Sequence, residues 1–334
     1  MNISEFAKFA GVSKSAVSRY FNEGYLSDDK KALIEEAIQK TGYAPSIAAR
    51  SVKTRVTKLV GVILPKLSSE SCSRITEGID EILEAEGYKL LLVNTANNPH
   101  KEIESLELFR QNRVDGVILL GTVFTDLHKA VLKKMHVPVV IVGQRLKGYN
   151  CICHNDEGAA HALTKLMLEK GAKRPAIIGV TPEDKAAGKA RMEGFLRALN
   201  EYGISCDGRF SEIAGFTMDS GYDHAKHMYS RKGDKPDALF CATDDIAAGA
   251  MLYLRDQGLR VPEDVMVCGI GDTKLAKNTY CPLTTARLHY KTAGIEAANM
   301  LLSAVRHGDK IQRTLQLDYD IVERASTKYP QGYR

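Results

Sequence analysis

NISEFAKFAGVSKSAVSRYFN, residues 2–22, spells two short helices with a tight turn between them. Asn2 stands before Ile3, and Glu5 follows three residues after Asn2, a capping-box pattern with the acid at the positive end of the helix. Ile3, Phe6, Ala7 and Ala10 recur at helical spacing as one buried stripe, and Gly11 is the expected left-handed stop. Ser13 then caps a second helix in which Val12, Ala16, Val17 and Tyr20 or Phe21 face inward, while Lys14, Ser15, Ser18 and Arg19 face out. A third helix is predicted from Asp28 to Thr41, between a cap at Ser27 and a stop at Gly42. This is a helix-turn-helix head whose second helix is sized for a DNA major groove. Lys14 and Arg19 can reach guanine edges from it. Ser13, Ser18 and Asn22 are short donors better suited to phosphate oxygens, which fix register without reading sequence.

The charge distribution agrees. The 334-residue chain has a net charge of +5, and residues 1–58 hold ten Lys/Arg against six Asp/Glu, so they account for nearly all of it. A segment that meets phosphates needs such an excess. With 44% hydrophobic and 26% charged residues, the chain has the balance of a globular protein of two or three compact units. The first fifteen residues lack a secretory core, and no stretch approaches 18 apolar residues, so a cytoplasmic protein without a membrane span is expected. The seven cysteines are odd in number and scattered. Cys151 and Cys153, one residue apart, are expected on one face of a strand as buried reduced thiols.

From Lys58 onward, β-branched apolar runs alternate with amphipathic helical stretches. KLVGVIL, YKLLLVN, VDGVILLG and VPVVIVG form one set of strands, and PAIIGV, DALFCA and DVMVCGIG form a second. Helices are expected near 186–202, 219–230 and 244–257 in that second set. Such alternation implies parallel sheets covered by helices, hence an α/β domain of two lobes with a cleft outside the carboxyl ends of the strands. Catalytic and metal motifs are weak. Gly269, Ile270 and Gly271 begin like a dinucleotide fingerprint, but Lys274 stands where the third glycine belongs. There is no G-x-S-x-G turn, and His224 and His227 lack a third ligand nearby in sequence. Neither an enzyme nor a cofactor or metal is expected.

The stretch ISEFAKFAGVSKSAVSRYFN, then LS before the third helix, then TGYAPSIAARSVKT, resembles the DNA-binding head and hinge of the LacI/GalR family of bacterial regulators, and the likeness continues through most of the chain. The resemblance implies a DNA-binding domain at 1–45 and a hinge helix and linker at 46–57. An effector-binding domain at 58–330 follows, similar to periplasmic sugar-binding proteins. Its chain crossings are expected near 156, 286 and 313, giving an N-lobe of 58–156 and 287–313 and a C-lobe of 157–286 and 314–330. Base reading falls on Lys14, Ser15 and Arg19. The hinge falls on Ser46 to Lys53, with Val52 where relatives carry a leucine that wedges between base steps.

Effector contacts implied by the resemblance fall on Ser69, Ser71, Asp156, Arg191, Phe216, Thr243 and Asp272. Carboxylate and guanidinium groups with an aromatic face suit a saccharide. Three of them have bland alternatives: Arg191 as a surface-helix arginine, Phe216 as a core aromatic, Asp156 as a helix N-cap. Many relatives carry an aromatic pair where this chain has Ser71 and Cys72, and Asp-Asp where it has Gly271 and Asp272. These departures lean away from a stacked purine and toward the sucrose or fructoside repressor branch. The implied function is a repressor of a carbohydrate-utilisation operon that binds pseudo-palindromic operator DNA as a homodimer, since the C-terminus shows no leucine heptads for tetramers. Alternatives are a regulator dependent on a corepressor, either a purine or a phosphocarrier protein, and a solute-binding protein without DNA function.

Overall fold

In this computed structural model, residues 1–22, 24–43, 56–205, 208–308 and 311–328 are described. The chain divides into two compact units, Met1–Lys58 and Leu59–Arg334. The hinge at 46–53, with Val52, lies outside the described residues.

The first unit contains α1 (Ile3–Phe9), α2 (Lys14–Phe21) and α3 (Asp28–Thr41). The Asn2 side chain accepts from the backbone N–H groups of Ser4 and Glu5 at 2.9 and 3.0 Å, and Glu5 reaches back to the Asn2 N–H at 2.9 Å, closing the capping box. Gly11 (φ 66°) and Gly42 (φ 62°) turn the chain in the left-handed region that glycine adopts without strain. Ser27 stands at the α3 N-cap in extended geometry, but its side chain makes no capping bond. The three helices close over Phe6, Val17 and Ile34, all fully buried, with the Tyr43 ring stacked on Phe6 at 4.1 Å.

The second unit holds two six-stranded sheets. The first sheet contains β1 (Leu59–Leu64), β2 (Lys89–Asn94), β3 (Gly116–Leu120), β4 (Val139–Val142), β5 (Asn150–His154) and β11 (Thr314–Leu317), in the order β11-β5-β4-β3-β1-β2. β6 (Pro175–Gly179), β7 (Ser211–Ile213), β8 (Ala238–Cys241), β9 (Met266–Ile270), β10 (Thr284–Leu288) and β12 (Tyr319–Val322) form the second, in the order β12-β10-β9-β8-β6-β7. The inner strands read as unbroken apolar runs because helices cover both faces. The six described cysteines are free thiols, Cys151 and Cys153 both buried on β5.

The chain passes between the sheets after His154, after Leu288 and at Asp318. The third passage differs from the expectation near 313. Residues Thr314–Leu317 first pair with β5 in the first lobe, Thr314 opposite Cys151 and Leu317 opposite His154, and only Tyr319–Val322 pairs antiparallel with β10. TLQLDYDIV therefore contains two strands of four residues in two different sheets, which a single alternating run conceals.

Glycines set the helix packing within each lobe. A Cβ on Gly78 would stand 2.1 Å from the Lys291 carbonyl oxygen, and one on Gly294 2.0 Å from that of Ile75, so helices Glu70–Ala85 and Tyr290–His307 touch backbone to backbone. The second lobe repeats the device with Gly221 and Gly249, between helices Met218–Ser230 and Asp244–Asp256. Among the described residues no helix is long and apolar enough to cross a membrane.

Candidate functional site

Two sites follow from this architecture, one in each unit. On α2, the inward residues Ala16 and Val17 are buried and Val12, Tyr20 and Phe21 pack partly against them, which leaves Ser13, Lys14, Ser15, Arg19 and Asn22 exposed and Ser18 half-buried. Lys14 and Arg19 form no ion pair among the described residues. The short polar side chains are partly committed to the helix itself. Ser13 accepts from the Ala16 N–H at 3.2 Å and lies 2.9 Å from the Ser15 hydroxyl, while the Asn22 amide donates to the Ser18 carbonyl at 2.6 Å. The two long cations are thus the uncommitted groups on a solvent-facing helix, the arrangement that base-edge contact requires.

The second site is the cleft between the two lobes, a cavity of about 340 Å³. It lies at the carboxyl ends of the strands because the helix-starting loops of both sheets converge there. Ser69, Ser71, Asp156, Arg191, Phe216 and Thr243 all line it. Arg191 is buried, against the surface-helix alternative. Its Nε and Nη2 donate to Asp156 Oδ1 at 2.9 and 2.7 Å, and its Nη1 donates to the Ala242 carbonyl. Asn155, not Asp156, is the cap of helix Asp156–Glu169, which frees the Asp156 carboxylate to face Arg191. Phe216 is both things proposed for it, packed on the second-lobe core and exposed to the cleft. The Ser69 and Ser71 hydroxyls lie 2.8 Å apart, and Thr243 caps helix Asp244–Asp256 by accepting from the Ile246 N–H at 3.3 Å.

Asp272 is not among the residues that line the cavity. It sits in the left-handed region (φ 46°), buried, with one carboxylate oxygen on Arg287 Nε at 2.7 Å and the other on Arg324 Nη2. The Asp of the GIGD turn therefore ties β9 to β10 and to the chain beyond β12, because the turn directs its side chain away from the cleft. Burial alone would raise its carboxyl, but Arg324 and Arg287 hold it below the usual carboxylate range. A depressed carboxyl stabilises the fold above the ordinary pKa of about 4, and that contribution is lost as pH falls through the lower folded value. Asp272→Ala is expected to cost about 3 kcal/mol, the low end for a broken buried pair because Arg287 is half-exposed, and to leave ligand affinity unchanged. Urea melts at pH 7 and pH 3 check this, since the deficit should shrink at the lower pH; altered affinity in calorimetry would return Asp272 to the binding site.

Sequence reasoning missed several cleft residues. Gln144 from the first lobe donates to Asp184 of the second at 3.2 Å, and Asp184 also caps the short helical turn Lys185–Ala190. Burial raises the Asp184 carboxyl above the usual range. Lys66 and Asp245 line opposite walls, and Asn97, His154 and Tyr290 complete the surface. Burial pushes the Tyr290 hydroxyl up to about 12. The lobes are further joined by Arg74, whose Nη2 is held by the Glu70 carboxylate of the same helix at 2.5 Å and donates to the Asp272 carbonyl at 3.0 Å, and by Glu70, which accepts from the Lys274 N–H at 2.9 Å. No motif marks these groups, which come from loops, from the first turns of helices and from the end of β5. His224 and His227, singled out by spacing, instead close on the carboxylate of Glu212 at 3.0 and 3.1 Å.

Residues 2–46 match the model of "Bacterial regulatory proteins, lacI family", and residues 164–327 that of a periplasmic binding protein-like domain. The Staphylococcus xylosus sucrose operon repressor is 31% identical over 306 residues, 92% of this chain and 94% of that protein. The chain belongs to the LacI family. This LacI-family protein is also similar to the transcriptional repressor PurR of Vibrio atlanticus, 29% identical over 330 residues and 98% of each chain. Among solved structures, the CelR–cellobiose complex matches it with a TM-score of 0.76 at 26% identity, covering 98% of this chain and 99% of that one. As a LacI-family member the chain is a DNA-binding transcriptional repressor, and its relatives are regulators rather than enzymes.

Proposed function

We propose that this LacI-family repressor controls a carbohydrate-utilisation operon, binding pseudo-palindromic operator DNA as a homodimer in the cytoplasm and responding to a small neutral sugar held between its lobes. The observation that carries this reading is the chemistry of the cleft. The buried cation of its wall, Arg191, is already paired with Asp156, so a phosphorylated ligand would find that charge answered. Hydroxyls at Ser69, Ser71 and Thr243 and the amides of Gln144 and Asn97 offer donors and acceptors to a polyol, and Phe216 gives one apolar wall. The first loop supplies Ser71 and Cys72 rather than aromatic rings, which removes one means of gripping a purine.

On this reading Lys14, Ser15 and Arg19 meet base edges, Ser13, Ser18 and Asn22 meet the phosphate backbone, and Val52 wedges the minor groove. Relatives named as sucrose and purine repressors are about equally similar, so a corepressor-dependent regulator is the alternative. Operator binding separates them. With DNA selected from a random pool, sucrose, fructose or another neutral sugar is expected to weaken binding by about a hundredfold, a coupling of about 2.7 kcal/mol. Tighter binding with hypoxanthine or with a phosphocarrier protein, and no response to any sugar, would overturn the proposal.

A further inference from the structure

Among the described residues one buried side-chain polar atom has no hydrogen-bond partner, Nε2 of His154. His154 ends β5, is 8% exposed and lines the cleft. Its surroundings fix which chemistry that nitrogen offers. The ring packs edge-on to Tyr290 with centroids 5.2 Å apart, and it hydrogen-bonds the backbone of His289, the residue that follows the second passage between lobes. Burial lowers its pKa, and Arg191 works in the same direction against the opposing pull of Asp156, so the imidazole is neutral. A neutral imidazole has one N–H and one lone pair. The N–H on the other nitrogen donates to the His289 backbone, and the lone pair therefore sits on Nε2.

We infer that Nε2 of His154 is a specificity-determining acceptor of the cleft, which takes a hydrogen bond from a hydroxyl or N–H of the bound effector. The inference rests on the cleft being the effector site. A buried acceptor without a donor is costly, and a ligand that supplies the donor removes that cost, while a ligand lacking it leaves the cost in the complex. The site thus selects a hydroxyl at one defined position of a polyol and disfavours a phosphate or carboxylate oxygen there, since both only accept.

The test uses the full chain and isothermal calorimetry with D-fructose, sucrose, cellobiose, D-ribose and hypoxanthine as probes. For the tightest-binding probe, one analogue lacking a single hydroxyl (for hypoxanthine, one N-methyl analogue) is expected to bind the wild-type protein about ten- to a hundredfold more weakly than the parent. In His154→Phe the parent should fall to the affinity of that analogue, and the difference between the two should vanish. His154→Gln, which keeps an acceptor at similar reach, should retain the difference and serves as the second variant should the Phe protein fail to fold. Equal parent affinity in wild type and folded His154→Phe would overturn the inference, as would loss of discrimination in His154→Gln, while sugar binding through the cleft still stood. If no probe binds the wild-type protein, the effector reading of the cleft fails, and the role of His154 fails with it.

Discussion

Arg191→Ala is expected to abolish the response to effector and to destabilise the sensor unit by about 3–5 kcal/mol, because it leaves the buried Asp156 carboxylate without its partner. Both effects have one origin, so stability and binding must be measured apart. The double variant Asp156→Ala, Arg191→Ala removes the orphaned charge along with its cause, and much of the lost stability should return. Effector binding should not return if, as proposed, the ligand hydrogen-bonds these two groups among others. Thermal melts of the single and double variants, paired with calorimetry on each, decide the matter. Recovery of effector affinity in the double variant would show that the pair holds the lobe together and does not touch the ligand.

Arg19→Ala is expected to weaken binding to the selected operator by about 1–3 kcal/mol and to change binding to random DNA much less. Arg19 is exposed on α2 with no ion pair to break, so the variant should fold as the parent does. Asn22 and Ser13 differ, because their side chains already hydrogen-bond within the helix ends. Fluorescence anisotropy at fixed salt on both DNAs gives the comparison. Equal losses on the two would make Arg19 a phosphate contact and leave base reading to Lys14 and Ser15.

The head was legible because its signals are local. A capping box, a stripe at helical spacing and two glycines are all contained within 42 residues, and each acts where the sequence shows it. The inner strands were equally plain, since burial on both faces turns them into continuous apolar runs. Harder were the elements whose identity depends on distant partners. β7, with three residues, and the pair β11 and β12, with four each, exist because of the neighbours they meet in the sheet. The same divide runs through the cleft. Asp156, Arg191 and Phe216 could be placed through a family likeness, whereas His154 and Gln144 owe their meaning to what burial leaves unpaired or brings across from the other lobe. Asp272 shows the converse: its neighbours in sequence suggest a ligand, and two arginines, one of them 52 residues away, make it a structural anchor.

The late placement of β11 bears on how the chain is made. β5 ends at His154, yet the strand that covers its outer edge begins at Thr314, so the first sheet is incomplete until the whole intervening stretch and β11 itself have left the ribosome. During that interval the nascent chain presents an uncovered run of backbone donors and acceptors along Asn150–His154, with Cys151, Ile152 and Cys153 upon it. Edges of this kind pair with whatever strand arrives first, including one from a neighbouring nascent chain. Synthesis from the N-terminus can finish the DNA-binding head early, but the first lobe must wait for the second.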